Sequence, residues 1–312
     1  MAKSEMMIKT SEDFAAEIKN AIPPERLLID EPMSKHTTFR IGGPADFLLF
    51  PASPEEVATV FKLAKQFAVP VTVLGNGSNV LVLDRGIRGL VIKFGSDMGY
   101  IRHGGSTVFA GAGALLADVS KYAAQAKLTG FEFAIGIPGS IGGAVFMNAG
   151  AYEGDMSQVV QAVTAVCSNG ELKRFTQDEL KFAYRHSAFQ DNGCFICEVE
   201  VALADGEDNS IRGRIDDYTT KRQSKQPIEM PSAGSTFKRP QGHFAGTLIE
   251  QAGLKGTRVG GAQVSTKHAG FIINAGGATA KDVLQLISKV QDSVYRQFGV
   301  SLHPEVRVLG EE

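Results

Sequence analysis

From Phe133 to Tyr152 the chain carries no charged side chain, yet this stretch holds Gly136, Pro138, Gly139, Gly142, Gly143, Asn148 and Gly150. Its length approaches the roughly 20 apolar residues that a membrane span needs. So many glycines, with a proline and an amide, argue against a lipid-facing helix. They suit a buried loop drawn closely around a ligand, because glycine lets backbone approach where a Cβ would block it. Pro138 is placed to open a short helix whose first N–H groups, lacking intrahelical acceptors, would face a phosphate.

A second glycine segment, Gly75-Asn76-Gly77-Ser78-Asn79, lies between Val71–Leu74 and Val80–Leu83, two apolar runs that read as strands. Successive N–H groups in such a turn can converge on an anion as a nest. An ordinary hairpin turn is the competing reading. The dinucleotide fingerprint of a Rossmann domain is excluded, since that motif requires a helix directly after the turn. Neither segment ends in the GK[ST] of a P-loop, so a hydrolysable triphosphate with magnesium is not expected. Two uncharged cradles suit a tightly held pyrophosphate such as that of FAD.

Composition narrows the setting. A chain of 312 residues, 43% hydrophobic, can bury about two domains' worth of core. A net charge of −2 provides no global field for nucleic acid or a membrane surface. Residues 1–20 mix charged and apolar side chains without the uncharged core of a signal peptide, which points to the cytoplasm. Three cysteines, an odd number, agree with a reducing compartment. Cys194 and Cys197 fall in a strand-like run, where residues three apart face opposite ways; they read as core and not as a chelating pair. His36, His103 and His243 lack metal-ligand spacing, and no metal is expected.

Helix signals are clear at Ser53-Pro54-Glu55-Glu56, with Val57, Val60, Phe61, Ala64 and Phe67 at helical spacing, and at Thr279, which opens an amphipathic run to about Phe298. Further helices are expected near 115–126, 211–225 and 247–252. Strands are expected near 90–94, 108–110, 159–167, 194–203, 270–274 and 305–309. The polar break Asp205–Asn209 marks a domain boundary, and the class is α+β.

Several segments together resemble one family. Gly75 to Leu81 and Ile137 to Ala144 are similar to the two FAD-diphosphate loops of the UDP-N-acetylenolpyruvoylglucosamine reductases. The likeness continues through Thr37 to Gly43, Tyr184-Arg185-His186-Ser187, Ala233 to Lys238 and His303 to Val306, in the family's order along nearly the whole chain. The resemblance implies an FAD-binding fold of the vanillyl-alcohol-oxidase/p-cresol-methylhydroxylase type with a C-terminal α+β substrate domain. It divides the chain into FAD-binding subdomains at 1–94 and 95–207 and a substrate domain at 208–312, whose last strand carries Glu305 toward the flavin.

The resemblance also implies non-covalent FAD, NADPH as co-substrate, and reduction of the enolpyruvyl ether of UDP-N-acetylglucosamine to UDP-N-acetylmuramate for peptidoglycan. Arg185 would meet the substrate carboxylate, Ser235 would be the proton donor, and Glu305 would assist the enolate step. Cofactor contacts fall to Gly75, Asn76, Gly77, Ser78, Asn79, Pro138, Gly139, Ser140, Gly142, Gly143 and Asn148; substrate contacts fall to Tyr184, Lys238, Arg239 and His268. Only Ser187 to Gly193 separates the Tyr184 motif from the next strand, so the family's inserted tyrosine loop has no room here. A monomer or weak dimer, with neither nucleic acid nor membrane insertion, is expected. An alcohol or sugar oxidase on the same fold, and a nucleotide-sugar binding module without turnover, are the competing functions.

Overall fold

A computed structural model describes the backbone of residues 2–312 and the side chains of residues 12–312. The alternation of charged and apolar side chains over residues 1–11 therefore lies outside the described residues. The chain gathers into two compact units that interleave along the sequence. One takes the chain up to Ile29, Asp46–Asn76 and Gly89–Thr219; the other takes Asp30–Ala45, Gly77–Arg88 and Thr220–Glu312. This differs from consecutive segments at 1–94, 95–207 and 208–312. Leu90, Ile92 and Phe94 share one apolar core with Met98 and Val108. The polar break at 205–209 runs directly into a helix, Asp208–Lys225, that continues past it.

In the first unit the helices are α1 (Ala2–Ala21), α2 (Pro54–Gln66), α3 (Leu116–Gln125), α4 (Ile141–Met147) and most of α5 (Asp208–Lys225). α2 starts as its sequence predicts: the Ser53 hydroxyl accepts the Glu56 N–H at 3.2 Å, with Pro54 in the first turn. Its Val57, Val60 and Ala64 are buried in the core that also takes Phe14, Phe47 and Leu49. A sheet lying mainly in this unit runs in the order Leu27–Pro32, Pro44–Leu49, Ile87–Lys93, Val71–Leu74. A five-stranded antiparallel sheet runs Leu172–Thr176, Val160–Val166, Phe195–Ala202, Thr107–Gly111, Ile101–Gly104.

Cys194 and Cys197 are both buried in the core, as their strand-like run predicts, and the register adds a bond to Cys167 that the sequence reading did not foresee. Val166 pairs with Phe195 on antiparallel neighbours, so Cys167 and Cys194 stand opposite each other just beyond. Their Cα atoms are 4.0 Å apart and the two form a disulfide. Cys197 stays a free, buried thiol, which burial pushes up to about 12.

The second unit holds α6 (Ala245–Gln251), α7 (Ala280–Phe298) and an antiparallel sheet in the order Ser232–Ser235, Phe271–Asn274, Ala262–Val264, Arg258–Val259. α7 opens with a reciprocal cap in which the Thr279 hydroxyl accepts the Asp282 N–H and the Asp282 carboxylate accepts the Thr279 N–H, both at 3.1 Å. It closes on Gly299 at φ +68°. Val283, Leu286, Ile287, Val290 and Val294 are all buried, as their spacing predicts. Among the described residues no helix is long and apolar enough to cross a membrane. The uncharged stretch 133–152 takes in a 3-10 turn, Glu132–Gly136, the seven-residue α4 and a two-residue strand, Gly150–Ala151, and no helix longer than α4.

Candidate functional site

The two glycine segments meet. The side-chain amide of Asn76 donates to the carbonyl of Pro138 at 2.6 Å. Gly75 lies so close to Ser140 that a Cβ on it would collide with the serine hydroxyl. A Cβ on Gly142 would come within 2.8 Å of the Ala112 Cβ, so the turn into α4 is backbone packed against a small side chain. The hairpin reading of 75–79 fails. Val71–Leu74 pairs parallel with Leu90–Lys93, whereas Val80–Val82 pairs parallel with Arg307–Leu309. The segment is a crossing between sheets, and Gly77 takes φ +67° within it.

One expectation about α4 is corrected. Ser140, not Pro138, caps this helix: its hydroxyl accepts the Gly143 N–H at 3.4 Å. The first two helical N–H groups are already bonded, Ile141 to the Ala114 carbonyl at 2.8 Å and Gly142 to the Ala112 carbonyl at 3.0 Å. The N-terminus of α4 therefore does not offer its leading donors to a ligand. Asn148 is likewise committed internally. It is buried, caps the end of α4 at φ +43°, donates to the Ala183 carbonyl at 3.1 Å and accepts the Ser157 N–H at 2.9 Å.

Through Asn148 the glycine stretch reaches the Arg185 motif. Ala183 and His186 exchange N–H···O bonds of 3.1 Å, leaving Tyr184 and Arg185 at the tip of a tight turn. Arg185 has φ +55°, a left-handed conformation costing about 1–2 kcal/mol for a residue with a Cβ. The turn is held from outside: the Gln190 amide donates to the Arg185 carbonyl at 3.0 Å and the Phe146 carbonyl at 2.9 Å, and the His186 ring pairs with Asp191 at 2.9 Å. The Ser187 hydroxyl also donates to the Phe146 carbonyl, at 2.9 Å. Tyr184 is exposed, and the Arg185 guanidinium lies 5.2 Å from its ring centre.

In the second unit, Ser235 and Glu305 sit on adjoining segments. Ser232 pairs with Ile273 and Ser235 with Phe271, so two residues oppose one in a bulge that includes Gly234 at φ +74°. The bulge leaves Ser235 exposed while Ala233 and Thr236 are buried. The Glu305 N–H donates to the Thr236 carbonyl at 2.8 Å, the Lys238 N–H to the His303 carbonyl at 2.8 Å, and the Asn79 amide to the Glu305 carbonyl at 3.4 Å. The strand begins at Arg307, so Glu305 belongs to the loop before it, and Val306 is buried while Val308 is 45% exposed. Lys238 and Arg239 are exposed, with the Arg239 guanidinium 4.0 Å over the Phe244 ring. His268 is packed within its own loop: its Nδ1 accepts the Gly270 N–H at 3.0 Å, and burial pushes the imidazole below its ordinary value.

Sequence patterns do not single out Gln190, Thr236, Ala112 or Ala114, whose part is to hold backbone through hydrogen bonds set by tertiary contact. Gly75, Asn76, Pro138 and Ser140 together form an uncharged, side-chain-poor cradle, and this fits a dinucleotide diphosphate held by backbone. Neither loop contains a carboxylate to repel it, and no histidine or cysteine stands in 75–79 for a covalent link.

Comparison with known proteins agrees. A family model described as an FAD binding domain matches residues 45–176, and one described as the UDP-N-acetylenolpyruvoylglucosamine reductase C-terminal domain matches residues 226–309. A UDP-N-acetylenolpyruvoylglucosamine reductase of Clostridium perfringens is 54% identical over 288 residues, covering 92% of this chain and 94% of the relative. One from Clostridium kluyveri is 50% identical over 301 residues, covering 96% and 99%. The crystal structure of the Thermus caldophilus enzyme superposes with a TM-score of 0.78 at 37% identity, covering 91% of this chain and 98% of that one. A glucose dehydrogenase, Phl p 4.0202, shares the fold at a TM-score of 0.52 and 15% identity, covering 92% of this chain and 63% of that one. The chain belongs to the UDP-N-acetylenolpyruvoylglucosamine reductase family and is an FAD oxidoreductase.

Proposed function

We propose that this protein reduces the enolpyruvyl ether of UDP-N-acetylglucosamine to UDP-N-acetylmuramate in the cytoplasm, with NADPH as reductant. One observation carries the reading: both glycine loops join in one uncharged cradle, at Asn76 and Pro138, in a chain whose near-full-length relatives are named for this reduction. FAD, which the cradle of Gly75, Asn76, Pro138 and Ser140 would hold, would supply the hydride chemistry that links NADPH to the enolpyruvyl group.

The protein's own groups handle the charge and the proton. Hydride addition to an alkene conjugated with a carboxylate moves negative charge onto that carboxylate. Arg185 meets it, because a guanidinium fork pairs with both oxygens and is worth most where charge develops. Ser235 donates the proton to the α-carbon; the bulge at Gly234 turns its hydroxyl out of the sheet. Glu305 assists the enolate step from a loop whose backbone is tied to the residue following Ser235. Tyr184 and Lys238 contact the nucleotide portion of the substrate. Arg239, stacked over Phe244, supports that surface, and the packed ring of His268 shapes the loop behind it.

Ser235→Ala tests the assignment. Turnover by general acid is expected to fall on the order of 10²–10⁴-fold, while flavin reduction by NADPH keeps its rate. In deuterated water the wild-type product carries solvent deuterium at the α-carbon. Wild-type turnover in Ser235→Ala overturns the donor assignment. The oxidase alternative predicts instead that reduced enzyme is reoxidised by oxygen and ignores the enolpyruvyl ether.

A further inference from the structure

A side chain that holds the Arg185 carbonyl also grips the end of α4. Gln190 Nε2 donates to the Arg185 carbonyl at 3.0 Å and to the Phe146 carbonyl at 2.9 Å, with the Met147 sulfur at 3.9 Å. A primary amide has two N–H groups, so both carbonyls can be satisfied at once. Ser187 donates to the same Phe146 carbonyl, and Asn148 donates to Ala183 at the start of the turn. The carbonyl that Gln190 holds belongs to the residue with φ +55°.

We propose that Gln190 is a positioning residue for the reduction: it fixes the left-handed turn that aims Arg185 and locks that turn to the helix leading out of the glycine cradle. The inference rests on the reading of Arg185 as the carboxylate-binding group. Without the two donors, the peptide after Arg185 can rotate toward the ordinary right-handed region. The guanidinium then meets the substrate carboxylate off-line, and misplacement of about 1 Å costs catalysis up to about a hundredfold. Gln190 touches neither substrate nor flavin in this account, so flavin reduction by NADPH is left intact.

The test uses FAD-loaded Gln190→Met, which keeps the length and removes both donors, and Gln190→Glu, which puts an acceptor against the two carbonyls. Arg185→Met serves as the reference. Three quantities are read: flavin reduction by NADPH, flavin reoxidation by UDP-N-acetylglucosamine enolpyruvate, and amide hydrogen exchange at His186, whose N–H bonds to Ala183 across the turn.

In both Gln190 variants, reduction by NADPH should stay within about twofold of wild type and reoxidation should slow by roughly tenfold to a hundredfold, with faster exchange at His186. Slow reoxidation in Arg185→Met with wild-type reoxidation and exchange in Gln190→Met overturns this inference alone. Unchanged reoxidation in Arg185→Met overturns the reading of Arg185 and the inference with it. A Gln190 variant that retains FAD and its NADPH rate is folded, so the substrate half-reaction decides the matter.

Discussion

Asn76 and Pro138 lie 62 residues apart in sequence and share a hydrogen bond of 2.6 Å, which makes two separate glycine loops into one cradle. Removing the amide in Asn76→Ala costs about 0.5–1.5 kcal/mol of the tie. Reconstitution of stripped protein with FAD, followed by flavin fluorescence, should therefore give roughly two- to tenfold weaker binding. Unaltered affinity would mean that the loops hold their places without this bond.

Gly75 and Ser140 provide a sharper test. A Cβ at Gly75 collides with the Ser140 hydroxyl, so Gly75→Ala should lose about 1–3 kcal/mol through overpacking and purify with less bound flavin. Ser140→Ala removes the obstructing oxygen together with the α4 cap. The double variant should therefore lose less than the sum of the single losses, because the two residues are in contact. Simple additivity in the ratio of flavin to protein absorbance would contradict the packing described.

Acid stability should depend on Glu132. This carboxylate is 6% exposed, and burial alone would raise its pKa. Hydrogen bonds from Arg214 at 2.6 Å, Thr129 at 2.8 Å and the Gly130 N–H at 2.8 Å outweigh burial and hold it below the ordinary glutamate range. A folded-state pKa lower than the unfolded one means that protonation favours unfolding. The contribution is thus full above the ordinary glutamate value and is lost as pH falls through the lowered one. Glu132→Gln should destabilise the protein by about 1.5–3 kcal/mol at neutral pH, with the gap to wild type closing in acid. Urea midpoints measured across pH read this directly; a gap constant with pH would contradict it.

Asp84 should act on α7 from a distance in sequence. Its two carboxylate oxygens accept the Ala280 and Lys281 N–H groups at 2.8 and 3.1 Å, at the end where the helix dipole favours negative charge. Asp84→Ala should lower stability by about 1–2 kcal/mol, seen as a lower urea midpoint with NADPH oxidation retained.

Much of this molecule is legible in its sequence because the relevant signals are local. Ser53 with Pro54, and Thr279 with its apolar stripe, announce their helices because capping and amphipathic spacing need only a few neighbours. The absence of a Rossmann helix after Gly77 is equally local, and Val80–Val82 is indeed a strand. Register and partner choice are not local. Nothing in Val80–Leu83 says that its partner is Arg307–Leu309, or that Cys167 faces Cys194 across an antiparallel pair. Pro138 looks like a helix opener because its φ suits that position, yet carbonyls from Ala112 and Ala114 take the first N–H groups and shift the start to Ile141. The motif residues Arg185, Ser235 and Glu305 are visible as types; the left-handed turn, the bulge and the strand-preceding loop that present them follow from tertiary hydrogen bonds.

The flavin absorbance of the purified protein, followed in the absence of oxygen, reads both halves of the proposed reduction. NADPH should bleach it, and UDP-N-acetylglucosamine enolpyruvate should then restore it within a single turnover, yielding one equivalent of UDP-N-acetylmuramate. A protein that cannot be loaded with FAD, or whose bleached flavin is not restored by that substrate, does not catalyse this reduction.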